Sequence, residues 1–372
     1  MRTFAKVLAV SAVAALTLTG CGRGSDSGTT SGSGSGATSG AAAGFPANSL
    51  IGVALPQKTS ENWVLAEGLF NDGLKKAGFT PDVQFANGGV SEQQNQIQSM
   101  VTKGAKVIVV GAIDGSQLGT QVKAAKASGA TVIAYDRLLL NTNDVDYYVA
   151  FDNFKVGQLQ GQALLDGMKA KKPNGPYNIE LFAGSPDDAN AKVFFDGAMD
   201  ILKPKIADGT LKVVSGQTDF NQAVTQGWKA ENAQKRMDTL ISANYTSTEL
   251  DGVLSPNDTL ARAILQSVNQ AGKPVPIVTG QDSEVESVKS IMAGVQYSTI
   301  NKDTNKLVAQ TITMLQALQK GDKPETNDTK SYNNGVKVVP AFLLPPVIVT
   351  KANAKEAYAN NPTLLAIVNA AG

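Results

Sequence analysis

Short runs of aliphatic and β-branched residues recur along this chain, each followed by a polar turn and then by a stretch with helical spacing. The runs are residues 50–55, 107–113, 131–135, 178–182, 252–254 and 276–279. Strands this apolar need cover on both faces, which is the condition of a parallel sheet. The stretches between them supply the cover. Ser91 is expected to cap a helix whose apolar face holds Ile97, Met100 and Val101, with Gly104 just past its end. Residues 116–128 present Leu118, Val122 and Ala125 and stop at Gly129; residues 284–293 present Val285, Val288, Ile291 and Met292 and stop at Gly294. Alternation of this kind over about 300 residues means α/β architecture with doubly wound sheets, and the length calls for two of them.

The composition narrows the chemistry. With 42% apolar and 17% charged residues the chain has the make-up of a soluble globular protein, and a net charge of +1 offers no basic field to a nucleic acid. Histidine is absent, which removes the commonest general base and metal ligand. The single cysteine, Cys21, allows no internal disulfide. No metal-ligand cluster appears, and neither Gly20-Cys21-Gly22 nor Asn87-Gly88-Gly89 opens a phosphate loop. Neither a metal nor an organic cofactor is expected.

The start of the chain explains the cysteine. Arg2 and Lys6 precede an apolar run at residues 9–18 that is too short to span a bilayer, and the run ends in Leu18-Thr19-Gly20-Cys21. This resembles a bacterial lipoprotein signal. It implies a signal peptide at residues 1–20, lipidation of Cys21 and a membrane anchor through the acyl chains. Residues 22–46 are almost all Gly, Ser, Ala and Thr, so residues 21–48 are expected to be the lipidated Cys and a flexible tether, with the folded body starting near Ser49.

In doubly wound sheets a ligand sits beyond the carboxyl ends of the strands. The residues at those ends are Asp114-Gly115, Asp136-Arg137, Phe151-Asp152-Asn153, Ser185-Pro186-Asp187-Asp188, Pro256-Asn257-Asp258 and Gln281-Asp282. Any one Asp or Asn after a strand serves equally well as a helix cap. Six such ends together, with Arg137 and with Trp63 soon after the first run, make a set suited to a small polar ligand. Carboxylates and amides bond paired hydroxyls, at about 1.5–3 kcal/mol for a bond to a charged group, and an indole stacks on the C–H face of a sugar ring.

Ordered motifs extend the reading. Ile51-Gly52-Val53-Ala54-Leu55-Pro56, Ser60-Glu61-Asn62-Trp63, Ala112-Ile113-Asp114-Gly115, Ala134-Tyr135-Asp136-Arg137-Leu138, Phe151-Asp152-Asn153, a stretch from Gly184 to Lys192, Ser255-Pro256-Asn257-Asp258, Gly280-Gln281-Asp282 and a stretch from Tyr297 to Lys302 follow one another in this chain. Together they resemble the bacterial periplasmic sugar-binding proteins of ABC transporters with the type I periplasmic binding protein fold, nearest to the xylose-binding and multiple-monosaccharide-binding group. The resemblance runs from about Ser49 to Val349.

That resemblance implies two doubly wound, Rossmann-like lobes joined by three crossover strands near Leu138, Lys302 and Leu344. The first lobe would hold residues 49–138 and 303–344, the second 139–302 and 345–350, and residues 351–372 would form a C-terminal tail with a short docked helix from Asn361. The ligand implied is a monosaccharide, xylose or a related aldose, held between the lobes of a monomer and delivered to ABC transporter permease subunits. Carried over by motif, Trp63 would stack on the sugar, Asp114, Asp136 and Arg137 would bond its hydroxyls, and Asn190, Lys192, Asn257, Asp258, Asp282 and Lys302 would close the site. Phe220 or Trp228 would supply a second ring. Asn62 stands where the family often has Arg, so it is expected to touch the ligand and to relax or alter hydroxyl selection. An enzyme is not expected, because no carboxylate pair stands apart as acid and base. A sugar-responsive repressor would need a DNA-binding helix pair where this chain has its export signal. A role in reporting the bound sugar to a membrane sensor stays open beside delivery.

Overall fold

The computed structural model describes residues 44–58 and 60–371. The expected signal peptide, the lipidation of Cys21 and most of the tether lie outside the described residues. The body starts a little before Ser49. Phe45 N donates to Gln319 O at 3.1 Å and the Phe45 ring lies 6.1 Å from that of Phe79, so the expected tether ends short of residue 48. Phe45 is the one large apolar side chain among small residues there, and it docks.

In the first lobe, strands β1 (Leu50–Leu55), β2 (Thr80–Phe85), β3 (Val107–Val110), β4 (Thr131–Tyr135) and β5 (Tyr147–Phe151) alternate with helices α1 (Glu61–Lys76), α2 (Val90–Thr102) and α3 (Gly119–Ala127). With β11 (Ala341–Leu344) the strands form one parallel sheet in the order β11-β5-β4-β3-β1-β2. Alternate side chains of β1 enter different cores. Ile51, Val53 and Leu55 pack with Phe70 and Leu74 of α1 on one face, and Ala54 packs with Ile97 and Met100 of α2 on the other. That double burial is why these strands read as continuous apolar runs. Ser91 does not cap α2: the helix begins one residue earlier, with Gly89 as its cap.

The second lobe is built from α4 (Asn153–Lys171), β6 (Tyr177–Leu181), α5 (Ala189–Ala207), β7 (Leu211–Val213), the single turn α6 (Phe220–Ala223), α7 (Ala230–Asn244), β8 (Gly252–Leu254), α8 (Asp258–Gln270), β9 (Ile277–Val278) and α9 (Val285–Met292). Its parallel sheet has the order β7-β6-β8-β9. Beside it β10 (Ser298–Asn301) pairs antiparallel with β12 (Val347–Thr350). Helix α10 (Thr304–Lys320) returns to the first lobe and packs on α1. After β12, the short helix α11 (Ala354–Ala357) and α12 (Pro362–Ala371) pack onto the second lobe, with Leu364 and Val368 against Val288 and Met292 of α9.

The chain therefore passes between the lobes after β5, after β10 and between β11 and β12. The first passage is not near Leu138. Strand β5 pairs with β4 and β11 in the first sheet, so residues 139–151 belong to the first lobe, and the passage falls at Asp152. Tyr147 to Phe151 is an aromatic-rich run with one β-branched residue, Val149, and it fills the sheet position between β4 and β11.

Candidate binding cleft

The strand ends of the two sheets face one another across a narrow cavity. The first lobe contributes Ser60, Asn62 and Trp63 from the start of α1 and Asp136 and Arg137 from the turn after β4. The second contributes Asp188, Asn190 and Phe194 around the first turns of α5, Trp228, Asn257 before α8, Gln281 and Asp282 after β9, and Lys302 after β10. The centre of a water molecule has about 30 Å³ to move in there. A cavity of one hexose, roughly 150 Å³, shrinks to about this value when its wall is drawn in by a water radius of about 1.4 Å. The space is of the order of one small ligand.

Charge in the cavity is paired. Arg137 Nε lies 3.0 Å from Asp188 Oδ2, and Arg137 Nη1 donates to Ala112 O at 3.0 Å. Lys302 Nζ lies 3.1 Å from Asp282 Oδ1 and 3.8 Å from Asp136 Oδ2. Burial pushes the carboxyls of Asp188 and Asp282 above the usual aspartate range, opposed chiefly by Arg137 for the first and Lys302 for the second. Burial alone would lower Lys302, but the Asp282 and Asp136 carboxylates outweigh it and hold the ammonium above its ordinary value. Three acids set against two bases leave a site close to balance, which suits an uncharged polar ligand.

The aromatic walls come from both lobes. The chain has two tryptophans, and both line the cavity. The Arg137 guanidinium lies 5.4 Å from the Trp63 ring centre, and Lys302 Nζ lies 5.4 Å from that of Phe194. Trp228 Nε1 donates to Asp188 Oδ2 at 3.0 Å. A Cβ on Gly184 would come within 2.1 Å of Trp228 Cζ2, so glycine is required for the indole to lie where it does. Among the described residues, six non-glycine residues have positive φ, and four of them are here: Asp136 (59°), Trp228 (55°), Asp282 (95°) and Ser283 (54°). Backbone held in this region costs about 1–3 kcal/mol per residue and persists where the surroundings over-determine it. Buried polar atoms also lack hydrogen-bond partners at this place: Gln281 Oε1, and Arg137 Nε and Asp282 Oδ1, which make ion pairs only. Such atoms are costly unless something accepts or donates to them.

Eight of the expected site residues line the cavity: Asn62, Trp63, Asp136, Arg137, Asn190, Asn257, Asp282 and Lys302. Four do not. Asp114 turns back on its own loop and accepts from Ser116 N at 2.9 Å and Gln117 Nε2 at 2.6 Å, the ordinary fate of an Asp at a turn. Lys192 lies two residues beyond Asn190, on the outer face of α5, where it pairs with Asp196 at 2.7 Å. Phe220 packs against Phe195 with ring centres 5.8 Å apart, and Trp228 takes the place offered to either aromatic. Asp258 is wholly buried beneath the cavity floor. Its carboxylate accepts from Glu284 N at 2.9 Å, Thr299 Oγ1 at 2.9 Å and Gln296 Nε2 at 2.8 Å, and a Cβ on Gly280 would come within 2.0 Å of it. Asp258 holds the Gln281–Asp282 loop and does not face the cavity.

Ser60, Asp188, Phe194 and Gln281 are cavity residues that the sequence reading passed over. Phe194 was findable, since it stands one helical turn from Asn190 on the same face. Asp188 and Gln281 stand at strand ends already singled out. Nothing in the sequence separates them from simple caps.

Comparison with known proteins places the sequence and the fold. Residues 51–323 match the periplasmic binding protein domain family. The chain is 50% identical over 308 residues to the multiple sugar-binding periplasmic receptor ChvE of Rhizobium radiobacter, covering 82% of this chain and 87% of the relative. It is 36% identical over 307 residues to the D-xylose-binding periplasmic protein of Escherichia coli (strain K12), covering 82% and 87%. The crystal structure of an ABC transporter solute binding protein from Clostridium phytofermentans with bound β-D-glucose superposes with a TM-score of 0.81 at 40% identity, covering 85% of this chain and 99% of that one.

Proposed function

This chain belongs to the periplasmic binding protein domain family, and we propose that it binds one monosaccharide between its lobes, xylose or a related aldose, for delivery to the permease of an ABC importer. The observation that carries the reading is the pairing of two indoles from opposite lobes with ion-paired carboxylates around a space of one sugar ring. The relatives named for multiple sugars, D-xylose and β-D-glucose support a pyranose ligand. Asn62 in the cavity wall favours tolerance among such sugars, because an amide offers one donor end and one acceptor end where a guanidinium would offer only donors.

Contacts that span the lobes supply the mechanism. Sugar favours the closed form through bonds that exist only when both lobes touch it, and closure excludes water and strengthens each of them. Every cavity carboxylate already has a cation or an N–H donor beside it, an arrangement for holding hydroxyls and not for moving protons. The protein would act as a monomer, exported and held at the membrane through lipidated Cys21. The relative named as a receptor favours a second output, in which the sugar-bound form is read by a membrane sensor. Isothermal calorimetry with D-xylose, D-glucose, L-arabinose, D-galactose and myo-inositol tests the ligand class. Micromolar or tighter binding of at least one aldose is expected, and heat from none of them would sink the reading.

A further inference from the structure

The tail reaches the cavity from behind. Tyr358 follows α11, is fully buried, and its ring sits in the apolar cluster of Val288, Met292, Val349, Leu364 and Val368. Its hydroxyl donates to Ser283 Oγ at 2.8 Å. A phenol this deep needs a partner, and burial raises its pKa, so it stays a donor. Ser283 is the neighbour of Asp282, and both hold left-handed backbone without being glycine. Three bonds keep them so. Asp282 N donates to Ile300 O at 2.9 Å and Ser283 N donates to Thr299 Oγ1 at 3.1 Å, both from β10. The third is the bond from Tyr358, and among the described residues it is the one that reaches the Ser283 side chain.

We propose that Tyr358 is a positioning residue for the sugar site, a tail-borne brace that locks the Asp282–Ser283 turn so that the Asp282 carboxylate faces the cavity. The brace rests on the sugar-binding reading above. Without it two of the three bonds remain, and Ser283 spends part of its time in the ordinary helical or extended regions, which turns Asp282 from Lys302 and from the ligand for that fraction. The apolar cluster holds the tail in place independently, so the hydroxyl acts on the turn and not on the docking of α12.

The test is Tyr358→Phe in the full chain, which removes one oxygen and keeps the ring. Sugar affinity falls about fivefold, as expected for one lost hydrogen bond, through faster dissociation. The melting midpoint of the sugar-free protein moves by less than about 2 °C. Ser283→Ala gives the same loss, and the double variant loses no more than either single one. Parental affinity in Tyr358→Phe overturns the proposal, as does a full additive loss in the double variant. Should the parent protein bind no sugar, the functional reading fails but the brace is still decided by hydrogen exchange. Faster exchange of the Ser283 and Glu284 amides in Tyr358→Phe supports it, and unchanged exchange overturns it.

Discussion

The two lobes reach the cavity in different ways. The first presents its residues from well-supported strand and helix ends: Asn62 and Trp63 ride on the opening turn of α1, and Arg137 is tied to Ala112 O. Among its cavity residues only Asp136 has left-handed backbone. The second lobe presents Trp228 and Asp282 from strained turns and supports each from beneath, with Gly184 and Asp188 under the indole and Asp258, Thr299 and Tyr358 under the loop. A residue can therefore be essential to this site without facing what it holds, and such residues are concentrated on one side of the cleft.

The largest test of that asymmetry is to remove a carboxylate from each side. On the proposed sugar-binding reading, Asp282→Ala would take a charged bond from the ligand, and it leaves Lys302 with Asp136 alone at 3.8 Å. Calorimetry should show affinity down at least tenfold, about 1.5–3 kcal/mol, and near-normal binding would remove that loop from the site. Asp136→Ala should cost less than Asp282→Ala, because Lys302 keeps its nearer partner at 3.1 Å. Next come the glycines under the two indoles. Gly184→Ala puts a methyl 2.1 Å from Trp228 Cζ2, whereas Gly111→Ala puts one 3.2 Å from Trp63 Cζ3. The first forces the ring to move and should weaken sugar binding about tenfold, the second less than about threefold, with tryptophan fluorescence following the displaced ring. Equal effects would break the comparison.

A smaller effect concerns pH. Burial, then the Glu284 carboxylate, pushes Asp258 well above the usual range, while bonds from Glu284 N and Gln296 pull it back. Unfolded aspartate titrates near about pH 3.9, so above that value the native protein keeps a proton that the unfolded chain has lost. The stability from this group is complete below about pH 3.9 and is lost as pH rises through the native value. Asp258→Asn should flatten that fall, read by urea unfolding of sugar-free protein between about pH 4 and about pH 7. Asparagine retains an acceptor for Thr299 and Glu284, and the unpartnered Gln296 Oε1 can take its amide. Smallest of all, Asp114→Ala and Lys192→Ala should each leave affinity within about twofold, since neither side chain lines the cavity. A larger loss from either would place it in the site after all.

Much of this was legible in the sequence, and the failures share a cause. Period and composition show where strands end, so Asp136, Arg137, Asn257 and Asp282 stand out as candidates, and the motif resemblance then names them, and Trp63, as ligand residues. What the pattern does not carry is which way a side chain turns once there. Asn257 and Asp258 are adjacent, yet Asn257 lines the cavity, its Oδ1 capping α8 through Leu260 N, and Asp258 points into the floor. Asp114 and Asp136 both follow apolar runs, yet one folds onto its own turn. The misplaced passage at Leu138 has a different origin: β5 is set by a sheet edge that closes far away in sequence, with β11.

Several direct bonds join the lobes, two of them between residues that line the cavity and one outside it. Asp188 meets Arg137, Asn190 donates to Asp136 O at 2.9 Å, and Glu61 at the head of α1 accepts from Val285 N of α9 at 2.8 Å. Each favours the shut arrangement whatever the cleft contains, so together they set a resting fraction of shut molecules before any sugar is counted. A transporter that docks shut copies would then see a background that rises or falls with these few bonds. Of the three, only the Glu61 bond is made by residues outside the cavity lining, so it is there that the sharpness of the response to scarce sugar would be tuned separately from the affinity written into the cavity.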